Sequence, residues 1–142
     1  GAAALLLCSE NKAMNLGYKP KARILDYSSF SHDPEWFTTA PVSAIKKLLN
    51  QNNLSLNDID LFEINEAFSC VPLVVMDELN ISIDKLNING GAVSLGHPIG
   101  ASGARILVTL LNALKEKNMK YGLASLCIGG GEASALIVEM CN

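Results

Sequence analysis

The segment NINGGAVSLGHPIGASGARIL, residues 87–107, carries five glycines, one proline and one histidine. Glycine loses more conformational entropy on folding than any other residue, so such a run answers a backbone need. Either the chain must turn where side chains are not tolerated, or something must lie very close to it. His97 sits between Gly96 and Pro98, with its backbone held stiffly on one side. Immediately afterwards Ile106, Leu107, Leu110, Leu111 and Leu114 recur with helical spacing and predict a long helix with one apolar face.

The rest of the chain alternates strand-like and helix-like patterns. Leu5 to Cys8 continues an apolar run and reads as a buried strand. NKAMNLGYKP offers a short helix ended by Gly17 and Pro20, and ARILDYSSF a second strand. A loop with a turn at Asp33-Pro34 leads to an amphipathic helix from Val42, with Ile45, Leu48 and Leu49 on one face and Pro41 near the first turn. IDLFEI is a strand that runs directly into NEAFS. A helix over Glu66–Leu79 follows, with Phe68, Val71, Val75 and Leu79 apolar, and Pro72 either kinks it or limits its start. YGLASLC and ASALIVEM, separated by IGGGE, predict an antiparallel hairpin. The sum is an α/β layered domain over residues 1–142, with a mixed five-stranded sheet and helices on both faces.

Composition narrows the function classes. With 142 residues, 49% of them hydrophobic, the chain is long and apolar enough for a real core. A net charge of −3 gives no basic surface for nucleic acid, and no apolar stretch is long enough to cross a membrane. The apolar start GAAALLLCSENK lacks the basic residues of a signal peptide and begins without Met, which reads as a piece of something longer. Cys8, Cys70, Cys127 and Cys141 form no C-x-x-C pair, so no metal site is expected from them, and a reducing, cytoplasmic setting fits, with the mitochondrial matrix as the alternative.

Ligands of open α/β sheets bind beyond the carboxyl ends of the strands, and three marked segments fall in such places. Asn65 follows the strand ending at Ile64, Cys127 follows YGLASL, and His97 lies in the glycine-rich loop. Each has a plain alternative. Asn65 as a helix cap ahead of Glu66 is the favoured reading of that residue alone. A lone histidine is more often structural than catalytic, although the flanking glycines and proline weigh against that here. Cys127 could be a buried thiol at the edge of a hairpin turn. Yet Gly129, Gly130 and Gly131 exceed what a turn needs, and would expose N–H donors for a developing oxyanion. A thiol beside them acts as acid or base if its pKa is lowered. Neither the G-x-x-x-x-G-K-[ST] nor the G-x-G-x-x-G spacing is present, so a phosphate loop is poorly supported. Acyl chemistry on a thioester or carbonyl is the reading these residues favour, with a structural module as the alternative.

NEAFS, NINGGAVSLGHPIGASGARI and CIGGGEASA together resemble the C-terminal half of a thiolase, in that family's order and spacing. GAAALLLCSE and TAPVSAIKKLL are similar to its intervening segments, so the resemblance covers essentially the whole chain. It points to the biosynthetic type, which condenses two acetyl-CoA to acetoacetyl-CoA and runs the reverse thiolysis. By this resemblance Asn65 holds a water, and His97 with that water forms an oxyanion hole and helps to activate the nucleophile. Cys127 is the acid/base of the Claisen step, and the Gly129 N–H contributes to a second oxyanion hole. Ala67 and Phe68 match positions lining the pantetheine tunnel, with His97 beside the bound thioester. The resemblance implies CoA, acetyl-CoA and acetoacetyl-CoA as ligands, no permanently bound cofactor, no metal, and a dimer or tetramer at full length.

No cysteine here matches the family's nucleophile, which belongs to the N-terminal half, and the serine that touches the pantetheine matches a position upstream of Gly1. The chain therefore reads as one half of a site, inactive alone, with the N-terminal half as its partner. Two departures stand out. Glu132 and Ala133 follow CIGGG, where many relatives have a small or apolar residue and then Gly; a solvated Glu132 is favoured over one that points at Cys127 and raises its pKa. Pro72, in the helix after NEAF, is the other, and no role is assigned to it. A degradative 3-ketoacyl-CoA thiolase half and a non-catalytic acyl-CoA-binding module are the alternatives. The ketoacyl-synthase relatives pair two histidines with their nucleophile, so the Cys127 motif favours thiolase.

Overall fold

The computed structural model describes residues 1–141. In chain order the elements are α1 (Glu10–Asn15), β1 (Ala22–Ser31), α2 (Ala40–Gln51), β2 (Leu61–Ile64), α3 (Cys70–Leu79), α4 (Ala92–Leu95), α5 (Ser102–Lys117), β3 (Tyr121–Ile128) and β4 (Glu132–Met140). The strands form one mixed sheet in the order β1-β4-β3-β2. β4 pairs antiparallel with both β1 and β3, while β2 runs parallel to β3. The α/β class and the terminal hairpin stand as expected.

The sheet has four strands among the described residues rather than five. Residues 5–8 form no strand, and Leu6 and Leu7 stand exposed. An apolar run becomes a strand only where a neighbouring ladder takes up its N–H and C=O groups, and none lies beside it. On the β2 side the sheet is extended only by an isolated parallel bridge between Phe62 and Leu86.

Successive residues of a strand face opposite sides, so the sheet supports two cores. Phe62, Ile64, Leu123 and Ile137 meet α2 and α3 through Ile45, Leu48, Val71 and Val75. Leu61, Ala124 and Val138 meet α5 through Ile106, Leu110 and Leu114. Helix α5 lies so close to β3 that a Cβ on Gly122 would come within 2.7 Å of a Leu114 methyl carbon.

Helix α3 begins at Cys70, four residues later than the apolar pattern predicts. The intervening residues are otherwise engaged: the Asn65 N–H donates to Ser125 O at 2.9 Å, and the Glu66 carboxylate is drawn towards the glycine-rich loop. Pro72 thereby becomes the third helical residue, where its missing N–H has no acceptor to lose, so it limits the start and kinks nothing. Helices α3 and α5 both end on a left-handed asparagine, Asn80 and Asn118.

Candidate active site

Parallel pairing of β2 with β3 brings their carboxyl ends side by side, with Ile64 opposite Ser125. Asn65 and Cys127 therefore leave neighbouring strands at the same end of the sheet. Asn65 is fully buried, and neither its Oδ1 nor its Nδ2 has a hydrogen-bond partner among the described residues. It caps no helix, since the residue ahead of α3 is Ser69. An unpaired buried amide costs about 1–3 kcal/mol, and a polar partner at this strand end would remove that cost.

Cys127 is buried, and its side chain joins the α2–α3 core. Burial pushes its thiol pKa above the ordinary value; its own backbone N–H opposes this, and the Cys70 thiol adds to it. The lowered pKa that a resting thiolate needs is thus not what this environment provides. Glu132 is not the cause. Its carboxylate folds back over the hairpin, where a Cβ on Gly130 would lie 2.7 Å from Oε2, and it lines a shallow hollow with Ser31 and Lys47. It is half-buried rather than solvated.

Gly129 opens the β3–β4 turn and is exposed, with no atom within 4 Å of where a Cβ would stand. Gly131 is different: its φ is +99°, and a Cβ there would collide with the carbonyl oxygen of His32. Of these two glycines Gly131 shapes the turn and Gly129 leaves open space beside it.

The glycine-rich loop is docked on the end of β2. Asn87, with φ 48°, donates its N–H to Phe62 O at 2.9 Å. Its side chain accepts from Ile64 N–H and donates to Ile64 O, both at 2.8 Å, as a neighbouring strand would. Asn87 Nδ2 also lies 3.0 Å from Glu66 Oε1, and Glu66 Oε2 accepts the Val93 N–H of α4 at 2.8 Å. Gly96, with φ +94°, then turns the chain into His97. His97 is half-buried, its Nδ1 2.6 Å from the hydroxyl of Ser102 in the first turn of α5. That contact leaves Nε2 as the ring's outward nitrogen. No hydrogen bond joins His97 directly to Asn65 or Cys127; the two strand ends adjoin, and His97 lies on the loop that docks against the end of β2.

Ala67 is half-buried against the α2–α3 core, while Phe68 is exposed and meets Phe37 edge-to-face at 6.1 Å. A groove of about 300 Å³ opens beside Glu66, between Ser69, Leu73, Met76, Ile83 and Val93. Below the strand ends, Glu63 is buried with Arg105 of α5 at 3.6 Å. Burial raises the Glu63 carboxyl to about 7; Arg105 opposes the shift, and Glu66 adds to it. Glu66, Asn87, Ser102 and the Glu63–Arg105 pair were not singled out from the sequence. The available signals were an asparagine three residues ahead of the Gly90-Gly91 pair and a serine at the start of an apolar helix.

The sequence profile of the thiolase C-terminal domain matches residues 18–140. Acetyl-CoA acetyltransferase 2 of Arabidopsis thaliana is 52% identical over 140 residues, covering 99% of this chain and 35% of that protein. The crystal structure of the Bacillus anthracis acetyl-CoA acetyltransferase superposes with a TM-score of 0.91 at 47% identity, over 94% of this chain and 34% of that one. Human mitochondrial 3-ketoacyl-CoA thiolase in complex with CoA gives a TM-score of 0.91 at 41% identity, with the same coverage of 94% and 34%. The chain spans about a third of the length of the curated relatives it matches.

Proposed function

The chain belongs to the thiolase family, matching its C-terminal domain, and from that premise we propose that it supplies the acid/base, one oxyanion hole and part of a second in an acyltransferase acting on CoA thioesters. The substrates are acetyl-CoA and acetoacetyl-CoA. The observation that carries this reading is Asn65, wholly buried with both polar atoms unpaired among the described residues, at the strand end beside Cys127.

In the thiolysis direction a thiolate from the part of the protein beyond this chain adds to the 3-keto carbon of acetoacetyl-CoA. As the carbonyl re-forms, the bond between C2 and C3 breaks and its electron pair passes to C2 as the enolate of acetyl-CoA. Cys127 gives its Sγ proton to that carbon. A thiol whose pKa is raised by burial rests in the protonated form, which suits this step. The enolate oxygen receives hydrogen bonds from His97 Nε2, in the ring's protonated form or the tautomer with Nε2–H, and from a water held by Asn65. Fixed donors of this kind stabilise charge as it develops. The acyl-enzyme is released by the thiol of free CoA, and Gly129, with open space where a side chain would stand, offers its N–H to the oxyanion of the acyl-transfer step. Ala67 and Phe68 border the path of the pantetheine arm.

The nucleophile comes from outside the 142 residues, so the chain alone turns nothing over. Exposed Phe68, Leu73, Val93 and Ile99 give it an apolar face for the N-terminal half. The test is thiolysis of acetoacetyl-CoA by the full-length protein, native against Cys127→Ala, with the 142-residue chain as control. Cys127→Ala is expected to lower kcat by about 10²- to 10⁴-fold, with no activity in the control. Native-like turnover by the variant overturns the role given to Cys127. A second reading, thiolysis of longer 3-ketoacyl-CoA, draws on the likeness to the human mitochondrial enzyme. A kcat/KM that rises with acyl length in the native protein would favour it.

A further inference from the structure

We propose that Glu66 is a positioning residue that sets the place of His97 relative to Asn65, by latching the glycine-rich loop to the strand end. The inference rests on the reading of the site given above, and concerns a side chain to which that reading gives no part.

Glu66 directly follows Asn65, so its backbone position is fixed by the same strand end. Its two carboxylate oxygens reach the loop at two points. Oε1 accepts from Asn87 Nδ2 at 3.0 Å, at the loop's entry, and Oε2 accepts the Val93 N–H at 2.8 Å, in the first turn of α4. From Val93 to His97 is one short turn of helix and Gly96. A displacement at Val93 is therefore carried to the imidazole over four residues. On its other side His97 is held by Ser102 at the start of α5. The imidazole is thus suspended between two fixed points, one on β2 through Glu66 and one on α5 through Ser102.

The fit around the carboxylate is close. A Cβ on Gly91 would stand 2.5 Å from Oε1 and 2.6 Å from Oε2. Gly91 has φ −147°, a conformation any residue adopts, so space rather than backbone freedom demands glycine there. Both oxygens are engaged with the loop, so Glu66 acts through His97 and not on substrate. The carboxylate is required in full. In Glu66→Gln the new amide group must face either Asn87 Nδ2 or the Val93 N–H, setting a donor against a donor.

The experiment uses the full-length protein and four variants: Glu66→Gln, Gly91→Ala, His97→Ala, and Glu66→Gln combined with His97→Ala. For Glu66→Gln we expect a kcat for acetoacetyl-CoA thiolysis lowered by about 100-fold, the scale of an ångström-sized misplacement, with KM held within about twofold. Gly91→Ala, which pushes on an unaltered Glu66 from the loop side, is expected to do the same. In the His97→Ala background, Glu66→Gln should cost nothing further, because the group it positions is gone. Losses that multiply, with His97→Ala itself impaired, overturn the latch and leave the site reading intact. A native kcat in His97→Ala overturns both. A KM that rises in step with a falling melting midpoint, in Glu66→Gln and Gly91→Ala alike, assigns the contact to stability and also overturns the proposal.

Discussion

The two ends of the sheet are built on opposite principles. At the end where β1, β2 and β3 begin and β4 finishes, polar groups find partners within the chain. Asp60 Oδ2 accepts the N–H groups of Lys120 and Tyr121 at 2.9 and 2.8 Å. Glu139 pairs with Arg23 and Lys120 and accepts from the Tyr121 hydroxyl. These contacts hold the Glu139 carboxyl down at about 2, through the bonds from Lys120 and then Arg23. At the other end Asn65 is buried with both polar atoms unpaired among the described residues, the Cys127 thiol pKa is driven up by burial, and Gly96, Gly100 and Gly129 have open space where a side chain would stand. One end of the sheet is complete in itself. The other leaves buried polar atoms without partners among the described residues.

The sharpest way to break this contrast is Asn65→Leu, which keeps approximate volume and removes the unpaired amide. A residue whose polar atoms have no partner in the fold gives up no internal hydrogen bond, so the melting midpoint should hold or rise. Thiolysis by the full-length protein should fall by about 10²- to 10³-fold, as when a donor of an oxyanion hole is lost. A marked loss of stability with activity retained would make Asn65 a structural residue and dissolve the difference between the two ends.

Much of this was legible in the sequence. The helical periods of α2 and α5, the terminal hairpin, and the placement of Asn65, Cys127 and Gly129 at carboxyl ends of strands follow from patterning and turn chemistry. What was not legible depends on contacts distant in sequence. Residues 5–8 have the composition of a strand, but strands exist in pairs and this one has no neighbour. The start of α3 is moved by Glu66, whose carboxylate serves Asn87 and Val93, 21 and 27 residues away. A turn-rich loop conceals α4, a four-residue helix whose Val93 N–H is taken up by that same carboxylate. Glu63 shows the same limit: IDLFEI reads as a strand, yet which face takes the carboxylate, and that Arg105 waits there, is decided by the packing of α5.

Glu63 lies between the two ends and offers a second, smaller test through pH. Its carboxyl is raised from 4.5 to about 7, chiefly by burial, with Arg105 opposing and Glu66 adding. Between those values the folded chain binds a proton that the unfolded chain has released. Stability therefore falls as pH rises from about 4.5 to about 7. At 1.36 kcal/mol per unit, the contribution lost is on the order of 3 kcal/mol. Melting of the full-length protein followed from pH 5 to 8 should show this decline, and Glu63→Gln should flatten it. An identical slope in both proteins would mean that Glu63 is ionised throughout, held by Arg105 as an ordinary buried pair.

The smallest effect belongs to the finished end, and it should separate cleanly from activity. Asp60→Ala removes the acceptor for the Lys120 and Tyr121 N–H groups at the start of β3. Both groups lie near the surface and water replaces part of what is lost, so the expected cost is about 1–2 kcal/mol. The denaturation midpoint should drop accordingly with an unchanged dependence on denaturant. Turnover per folded molecule should stay native, because the affected strand is anchored again along its length by β2 and β4 before it reaches Cys127. A fall in kcat without a fall in stability would show that disturbance at the paired end travels along β3 to the unpaired one, and that the two ends are a single mechanical unit rather than separate constructions.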